Sequence, residues 1–353
     1  MELSLRFGTN ASHWLSQSNL DRNHLASFFT EADVARIASW GMDHLRLPVD
    51  YGLFEHEGAP SWFSEEGLSW IDRAVEWTRR AGLHLVLDLH CLPGHSFMTE
   101  DHNPIWPKDS PYRRRAVAIW EMLARRYRGE GHVLLEILNE PVAKDDEDWN
   151  ELAAELHAAI RRQNEESWVV IPSNRWDHPR TFAAIRPIAD DRIIYTFHFY
   201  EPMLFTHQNA PWVPQLGWLA GRKVPYPGPL PQEIIEAVPK DLLTTLEADE
   251  ERRRFFERMA REPYGPVYLE EILRPVLEFR ERNRAAVYCG EFGVISSAPA
   301  EDRLRWYGDV AALLRSHGIG MANWDYKSDN FGLVDAAGRV DERLLETLRR
   351  NAG

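Results

Sequence analysis

Two glutamates in this sequence occupy positions where paired acid/base chemistry is possible. Glu140 lies in Leu138-Asn139-Glu140-Pro141 and Glu291 lies in Gly290-Glu291-Phe292-Gly293, and each motif ends a short apolar run that predicts a β-strand. Two carboxyls in one cleft cannot both ionise freely, so the pKa of one rises while the other stays ionised. One could then protonate a leaving oxygen while the other attacks carbon or activates a water, as glycoside hydrolysis requires.

A third charged residue, Arg46, lies within the apolar stretch His44–Val49. A buried arginine without a partner is costly, so a carboxylate must lie beside it. Glu136 shares a strand face with Glu140 but lies one pleat below the strand end, and we predict that it is structural. Inside the fold, Arg46 could form a structural pair with Glu136.

The elements that must position these residues alternate between short β-rich runs and amphipathic helical patterns. The predicted strands are Leu5–Thr9, His44–Leu47, Leu83–Leu89, Val133–Leu138, Trp168–Ile171, Ile193–Phe199, Ala286–Cys289 and Met321–Trp324. The predicted helices include Glu31–Trp40, Leu68–Ala81, Arg113–Tyr127, Trp149–Asn164, Glu301–His317 and Glu342–Arg350. Gly41, Gly82 and Gly318 follow three of these helices and predict where they end.

Eight such β/α units predict an α/β protein of the (β/α)8 TIM-barrel class, in which catalytic side chains project from the carboxyl ends of the strands. We expect one catalytic domain over residues 1–353. The segment between the sixth and seventh strands is too long for one helix, so 201–284 is predicted to be an insertion of loops and helices at the barrel mouth. The charged run Asp241–Arg261 within it is predicted to be a solvated helical surface.

Composition excludes several classes of protein. The 41 Lys and Arg against 55 Asp and Glu give a net charge of −14, the wrong sign for a general nucleic-acid binder. No run of 18 apolar residues predicts a membrane span, and no signal peptide is visible, so we expect a cytoplasmic protein. Two cysteines, Cys91 and Cys289, cannot form a disulfide-rich scaffold and are expected to be free thiols.

The chain resembles glycoside hydrolase family 5, the cellulase family of retaining (β/α)8 barrels, along nearly its whole length. Seven motifs carry the resemblance, in the expected order and at the predicted strand ends. They are Asn10-Ala11-Ser12-His13-Trp14-Leu15-Ser16-Gln17, Arg46-Leu47-Pro48-Val49, Asp88-Leu89-His90, Leu138-Asn139-Glu140-Pro141, His198-Phe199-Tyr200, Gly290-Glu291-Phe292-Gly293 and Asn323-Trp324.

The resemblance implies roles for these residues. Glu140 would be the general acid/base and Glu291 the nucleophile, with their carboxyl groups about 5–5.5 Å apart. Arg46 would keep the nucleophile ionised, Tyr200 would hydrogen-bond it, and Asn139 would bind the sugar 2-hydroxyl. His90 and His198 would line the sugar subsite, and Trp324 would be the platform beneath the sugar.

The 14 tryptophans include further candidates for sugar stacking. Trp14, Trp176 and Trp212 lie in predicted mouth loops and are expected to bind substrate, as is His13 after the first strand. No cofactor is predicted. A metal-dependent amidohydrolase barrel would carry His-x-His at the end of strand one, where this chain has Gly8-Thr9-Asn10, so no metal site is predicted.

The sequence therefore predicts a retaining β-glycosidase acting on a β-linked glucan or gluco-oligosaccharide, most simply an endo-β-1,4-glucanase. An exo-acting β-glucosidase or β-1,3-glucosidase, and a β-mannanase, are alternatives with the same chemistry. A catalytically dead sugar-binding barrel is a third class, which the presence of both glutamates opposes. The sequence does not predict the oligomeric state.

Overall fold

The computed structural model describes residues 3, 5–99, 102–240 and 250–352, and its centre is a closed barrel of eight parallel strands in the order β1 to β8. The predicted (β/α)8 fold is therefore confirmed. The strands are β1 Phe7–Asn10, β2 His44–Asp50, β3 His84–Cys91, β4 Val133–Glu136, β5 Trp168–Pro172, β6 Ile193–Phe199, β7 Ala286–Phe292 and β8 Gly320–Asn323.

All eight predicted strands form, with differences at their ends. β2, β3 and β7 extend further toward their carboxyl ends than the apolar runs indicated. In β2 and β3 the added residues still pair in the sheet, as Asp50 does with Cys91. β1 begins at Phe7 rather than Leu5. Leu5 instead packs with Leu3 against the hydrophobic cluster inside the barrel.

The barrel interior is a packed core and not a pore. One buried cluster takes a side chain from each of six consecutive strands: Val86, Leu134, Val170, Ile194, Tyr288 and Ala322. Register places the polar residues above it. Asp88 on β3 pairs with Glu136 on β4. Arg46 on β2 pairs with Val86, which precedes Asp88 by two residues on β3. The apolar layer therefore supports a charged layer at the carboxyl end of the strands.

Helices alternate with the strands, as in the predicted β/α units. The α-helices of six or more residues between β1 and β6 are α1 Arg22–Ser27, α2 Glu31–Ser39, α3 Glu65–Ala81, α4 Pro111–Arg126 and α5 Asp146–Gln163. Local signals set their ends. Ser64 Oγ accepts from the Gly67 N–H at the start of α3, and Gly82 ends it with a φ of 72°. Gly41 and Gly318 also have positive φ, as predicted for helix ends.

The chain divides into two compact units. The first comprises the described residues of Met1–His198, Pro275–Glu291 and Ile319–Tyr326, and the second those of Phe199–Arg274, Phe292–Gly318 and Lys327–Gly353. The prediction of a single domain is not tested by this division and stays a prediction. The helices from β6 onward are α6 Met203–Thr206, α7 Gln232–Glu236, α8 Glu250–Arg261, α9 Pro266–Asn283, α10 Ala300–Ser316 and α11 Glu342–Ala352.

The predicted insertion 201–284 contains α6 to α9 and a 3-10 turn at Pro214–Leu219. Residues 241–249 of the predicted charged helix lie outside the described residues, whereas Glu250–Arg261 is helical. Within the described ranges, no helix combines the length and apolar character needed to cross a bilayer.

Two helical glycines give a matched test of this packing. A Cβ at Gly67 in α3 would lie 2.1 Å from the Leu53 carbonyl oxygen, whereas a Cβ at Gly308 in α10 would be no closer than 3.5 Å to Asn351. We expect Gly67→Ala to lower the free energy of unfolding by about 1–3 kcal/mol, because backbone must move. Gly308→Ala should raise it by about 0.5–1 kcal/mol through helix propensity. Urea unfolding of both variants measures this, and stabilisation by Gly67→Ala would contradict the close contact.

Candidate active site

Arg46 is fully buried and lies at the centre of a network of acidic and amide side chains. Its Nε and Nη2 donate to the two carboxylate oxygens of Glu136 at 2.8 and 2.7 Å. Its Nη1 donates to Glu291 Oε1 at 2.6 Å, and its Nη2 lies 3.1 Å from Asp88 Oδ2. The structural pair with Glu136 and the contact with Glu291 therefore exist together, since a guanidinium can bind several acceptors in one plane.

One arginine cannot fully compensate three buried carboxyls. Burial raises the pKa of Asp88 to about 7, although the Arg46 charge opposes this shift. Burial likewise raises the pKa of Glu136 to about 7, against the charge and hydrogen bonds of Arg46. Glu291 makes the shortest of the Arg46 contacts, which favours its ionised form.

Glu140 and Glu291 come together as predicted. A carboxylate oxygen of one lies within 4.8 Å of a carboxylate oxygen of the other. Glu140 follows β4 with a backbone φ of 43°, in the left-handed region, and its side chain is 15% exposed. Burial first, and then the Glu291 charge, raise the pKa of Glu140 well above its ordinary value. Glu140 therefore holds a proton under conditions in which Glu291 is ionised.

His198 on β6 lies between the two glutamates. Its Nδ1 is 2.8 Å from Glu140 Oε1 and 3.5 Å from Glu291 Oε2. Burial, together with the positive charge of Arg46, lowers the pKa of His198 well below its ordinary value, so its ring is neutral. His90 on β3 is also buried, with Nδ1 2.7 Å from Asp88 Oδ2, and burial lowers its pKa to about 4.

Two asparagines connect Arg46 to the barrel. Asn139 accepts from Arg46 Nη2 through Oδ1 at 3.0 Å, so its amide NH2 group is the end that can donate elsewhere. Asn10 on β1 accepts from Arg46 Nη1 at 3.0 Å and donates to the carbonyl oxygens of Gly290 and Asn323. The sequence predicted no role for Asn10 beyond its place in a motif. An amide residue at the end of a buried strand could have indicated that it binds Arg46.

The predicted aromatic residues divide into several groups. Trp324 is 8% exposed and stacks on His90 at 5.7 Å and 7°, so its ring lies beside the predicted sugar subsite. His13 has its ring centroid 6.3 Å from that of Trp324 and a side chain 38% exposed. Its Nδ1 is 2.7 Å from Ser12 Oγ. Both positions suit a substrate contact, which stays a prediction for each.

Trp14 was predicted to bind substrate, and the structure contradicts this. Its side chain is 0% exposed. The ring stacks on Trp77 at 5.7 Å, and Phe29 lies 5.1 Å away. Its Nε1 donates to the Leu25 carbonyl at 2.9 Å. The prediction treated a loop tryptophan as exposed, but α1 and α3 cover this loop and make Trp14 a core residue.

The remaining predicted contacts are located but not tested. Trp176 is 39% exposed, and its Nε1 donates to the Phe97 carbonyl at 2.8 Å, so its ring is held while part of it faces solvent. Tyr200 and Trp212 belong to the second compact unit, where each has Phe331 as a ring neighbour, at 6.2 and 6.1 Å. Their predicted roles at the nucleophile and the substrate stay predictions.

Asp177 is a buried site residue that sequence reasoning missed. It follows β5, and its Oδ2 lies 3.5 Å from His198 Nε2. The rule that catalytic groups follow barrel strands would have included it. Its direction could not be predicted, because Arg175, Trp176 and Asp177 all have positive φ, and three consecutive left-handed residues other than glycine are rare.

This arrangement suits proton and glycosyl transfer. A carboxylate oxygen of Glu140, a ring nitrogen of His198 and a carboxylate oxygen of Glu291 all lie within 4.8 Å of one another. Three such atoms at this spacing could also bind a cation. However, Arg46 already pairs with Glu291, and its buried charge would repel a second cation placed in the same space. An ionised carboxylate facing a protonated one is the pair that retaining glycoside hydrolysis uses.

The Arg46 network predicts a strong effect of a charge-preserving substitution. Arg46→Lys should lower the free energy of unfolding by about 3 kcal/mol or more, because one ammonium cannot reach all the buried acceptors. Hydrolysis of an aryl β-cellobioside should fall by about 100-fold or more through loss of support for Glu291. Urea unfolding and initial rates measure the two effects.

The matched control is Arg126→Lys, which changes a partly exposed arginine paired with Asp72 and Glu65. Its unfolding free energy should change by less than about 1 kcal/mol, with full activity. Equal behaviour of the two variants would contradict the central role of Arg46.

Comparison with known proteins places this site in a family. The model of "Cellulase (glycosyl hydrolase family 5)" matches residues 8–330. The chain is 36% identical to endoglucanase C of Acetivibrio thermocellus, covering 99% of each chain, and 32% identical to cellodextrinase A of Ruminococcus flavefaciens, covering 88% of this chain and 82% of that one. The crystal structure of endoglucanase Cel5A from Thermotoga maritima has a TM-score of 0.74 at 22% identity, with 98% of this chain and 97% of that chain covered. Its fold, its carboxylate pair and its sequence together make this chain a member of glycosyl hydrolase family 5.

Proposed function

We propose that this protein is a retaining endo-β-1,4-glucanase that cleaves β-linked glucan by double displacement. The observation that carries the proposal is the spacing of Glu140 and Glu291, which have carboxylate oxygens within 4.8 Å of each other. Inverting enzymes separate the two carboxyl groups by about 6.5–9.5 Å to admit a water, whereas retaining enzymes hold them about 5–5.5 Å apart. The short spacing supports direct attack by one of the two glutamates.

The environment of each glutamate supports its role in the first step. Glu291, ionised beside Arg46, attacks the anomeric carbon and forms a glycosyl ester. Glu140 gives its proton to the glycosidic oxygen, which leaves as the hydroxyl of the departing sugar chain. The raised pKa of Glu140 makes it a proton donor near neutral pH. The Asn139 amide, oriented by Arg46, is placed to donate to a hydroxyl of the sugar.

In the second step the same groups act in the opposite sense. Glu140, now ionised, takes a proton from a water, and the water oxygen attacks the anomeric carbon. The ester bond to Glu291 breaks, and Glu291 returns to its carboxylate form beside Arg46. Two inversions at one carbon retain its configuration. His198 contacts Glu140 in both steps without carrying a charge of its own, because its pKa lies well below neutrality.

Two similar proteins support the choice of substrate. The relative that is 36% identical is named an endoglucanase and the one that is 32% identical a cellodextrinase. The exo-acting β-glucosidase, β-1,3-glucosidase and β-mannanase alternatives use the same carboxylate pair, so product analysis must distinguish them.

The carboxylate pair gives a prediction for two alanine variants. Glu291→Ala should lower kcat by about 10⁴-fold or more, since no covalent intermediate can form. Glu140→Ala should lower kcat on a cello-oligosaccharide by about 10²–10⁴-fold. With an aryl β-cellobioside carrying a good leaving group, its first step should remain rapid, and azide should restore turnover by attacking the glycosyl ester, yielding a β-glycosyl azide.

Glu121→Ala, which removes a surface partner of Arg162, is the matched control and should keep full activity. Full activity of either active-site variant would contradict the assignment. An α-configured azide product from Glu140→Ala would contradict the retaining mechanism specifically.

The endo mode predicts a particular order of products. Incubation with carboxymethylcellulose should lower viscosity well before much reducing sugar appears, because internal bonds are cut first. Cellohexaose should give cellobiose, cellotriose and cellotetraose early. A parallel panel of β-1,3-gluco-oligosaccharides and manno-oligosaccharides should be cleaved more slowly at equal concentration. Release of glucose alone from the start would instead favour the exo-acting alternative, and faster mannan cleavage the mannanase.

A further inference from the structure

The loop after β1 contains a serine and a histidine whose side chains hydrogen-bond to each other. Ser12 Oγ is buried and lies 2.7 Å from His13 Nδ1. The Ser12 hydroxyl also donates to Asp325 Oδ2, which belongs to the segment after β8. β1 and β8 pair in the barrel, so these two segments leave neighbouring strands at the same end of the sheet. Ser12 therefore links a partly exposed imidazole to a buried carboxylate.

The backbone around this link holds both of its ends in place. Tyr326 follows the carboxylate, and its N–H donates to the Asn10 carbonyl at the end of β1 at 2.9 Å. His13 has a backbone φ of 60°, which is unfavourable for a residue other than glycine. Its carbonyl oxygen lies 2.7 Å from His24 Nε2. Contacts on the carbonyl and on the ring thus fix the orientation of the imidazole.

The number of protons on Ser12 decides the direction of each hydrogen bond. A hydroxyl has one proton, and Ser12 donates it to Asp325, because an ionised carboxylate can only accept. Ser12 Oγ must then accept from the ring, which places a proton on His13 Nδ1. In the neutral imidazole the second nitrogen, Nε2, then has a lone pair and no proton. The link therefore makes His13 Nε2 a hydrogen-bond acceptor.

These three residue types also form catalytic triads, but their order here is different. In a triad the histidine lies between the carboxylate and the serine and removes the serine proton. Here the serine lies in the middle, its proton is donated to Asp325, and Ser12 is only 2% exposed. This geometry does not suit a serine nucleophile. The part of the link that reaches solvent is the His13 side chain, which is 38% exposed.

His13 lies beside the aromatic residues of the predicted sugar subsite. Its ring centroid is 6.3 Å from that of Trp324, and the Trp324 ring stacks on His90 at 5.7 Å. The planes of His13 and Trp324 are inclined at 50°, so the imidazole does not cover the indole by stacking. Sugars present C–H groups on the faces of their rings and hydroxyls at the edges. An indole face with a hydrogen-bond acceptor beside it suits both.

We propose that His13 Nε2 accepts a hydrogen bond from a hydroxyl of the bound glucan, and that Ser12 and Asp325 are positioning residues for this contact. The proposal rests on the proposed function, since it requires a sugar beside Trp324. An acceptor favours a hydroxyl over a substituent that cannot donate, such as fluorine. The contact thus determines specificity at one position of the sugar. Ser12 and Asp325 act through the imidazole and do not touch the substrate.

The first test locates the proton on the His13 ring. Its ¹⁵N NMR signals, assigned by their loss in His13→Asn, are recorded at about pH 8.5, where histidine is ordinarily neutral. We expect the proton on Nδ1 in the wild type and a mixture of tautomers in Ser12→Ala. In Asp325→Ala the freed Ser12 hydroxyl can donate to Nδ1, so the proton should move toward Nε2.

The matched control for this spectrum is Ser18→Ala. It removes a hydroxyl from the same loop, one that donates to the Trp14 carbonyl at 3.1 Å. The His13 signals should stay unchanged in this variant, and its kinetic constants should equal those of the wild type.

The second test measures discrimination between substrates. Aryl β-cellobiosides with one hydroxyl at a time replaced by fluorine lose a donor at that position. In the wild type, fluorination at the contacted position should raise KM by about 5–10-fold. His13→Asn tolerates the left-handed backbone, but its side chain is too short to make the contact. Its KM for the parent substrate should rise by a similar factor with kcat unchanged, and fluorination at that position should have no further effect. Ser12→Ala should behave in the same way.

The outcomes separate this inference from the proposed function. A proton on Nε2 in the wild type, or unchanged His13 signals in Ser12→Ala, overturns the roles of Ser12 and Asp325. Equal effects of fluorination in the wild type and in His13→Asn at every position overturn the contact with the sugar. Failure of the proposed function would appear instead as full activity of Glu291→Ala, with the proton still on His13 Nδ1.

Discussion

The buried guanidinium of Arg46 organises this active site. Its donors reach acceptors from several parts of the barrel: Asn10 on β1, Asp88 on β3, Glu136 on β4, Asn139 after β4 and Glu291 on β7. Each acceptor helps to fix the plane of the guanidinium for the others, because the five N–H groups of arginine form a rigid fork. The positions of the Glu291 carboxylate and of the Asn139 amide are therefore set by one side chain.

The same network explains why two chemically identical side chains lie in different electrostatic environments. Glu291 lies 2.6 Å from the Arg46 charge, whereas Glu140 lies beside a neutral imidazole and close to the Glu291 charge. The first environment favours the ionised carboxyl and the second the protonated one. Burial amplifies this difference, since charges interact more strongly away from water. The division of roles that we propose for the two glutamates thus rests on their different distances to one cation.

Sequence reasoning predicts much of this site because strand ends in a barrel converge on one face. It correctly predicts the eight strands and the approach of Glu140 to Glu291, and it allows for the double pairing of Arg46 with Glu136 and Glu291. It fails for Trp14, whose burial depends on α1 and α3 packing over a loop that has no periodic pattern of its own. It also fails for Asp177, since left-handed dihedrals at three residues without a glycine leave no mark in residue type.

The closure of the barrel has a consequence for how the protein folds. β1 pairs with β8, so Phe7 meets Met321 and Asn10 hydrogen-bonds the Asn323 carbonyl, contacts separated by more than 300 residues along the chain. Contacts of such high sequence separation form late and slowly. During synthesis on the ribosome, Arg46 and its early acidic partners emerge long before β7 brings Glu291 and β8 closes the sheet. The Arg46 network is therefore complete only after the last two strands have emerged, so folding that proceeds from the N-terminus cannot finish the site before the barrel closes.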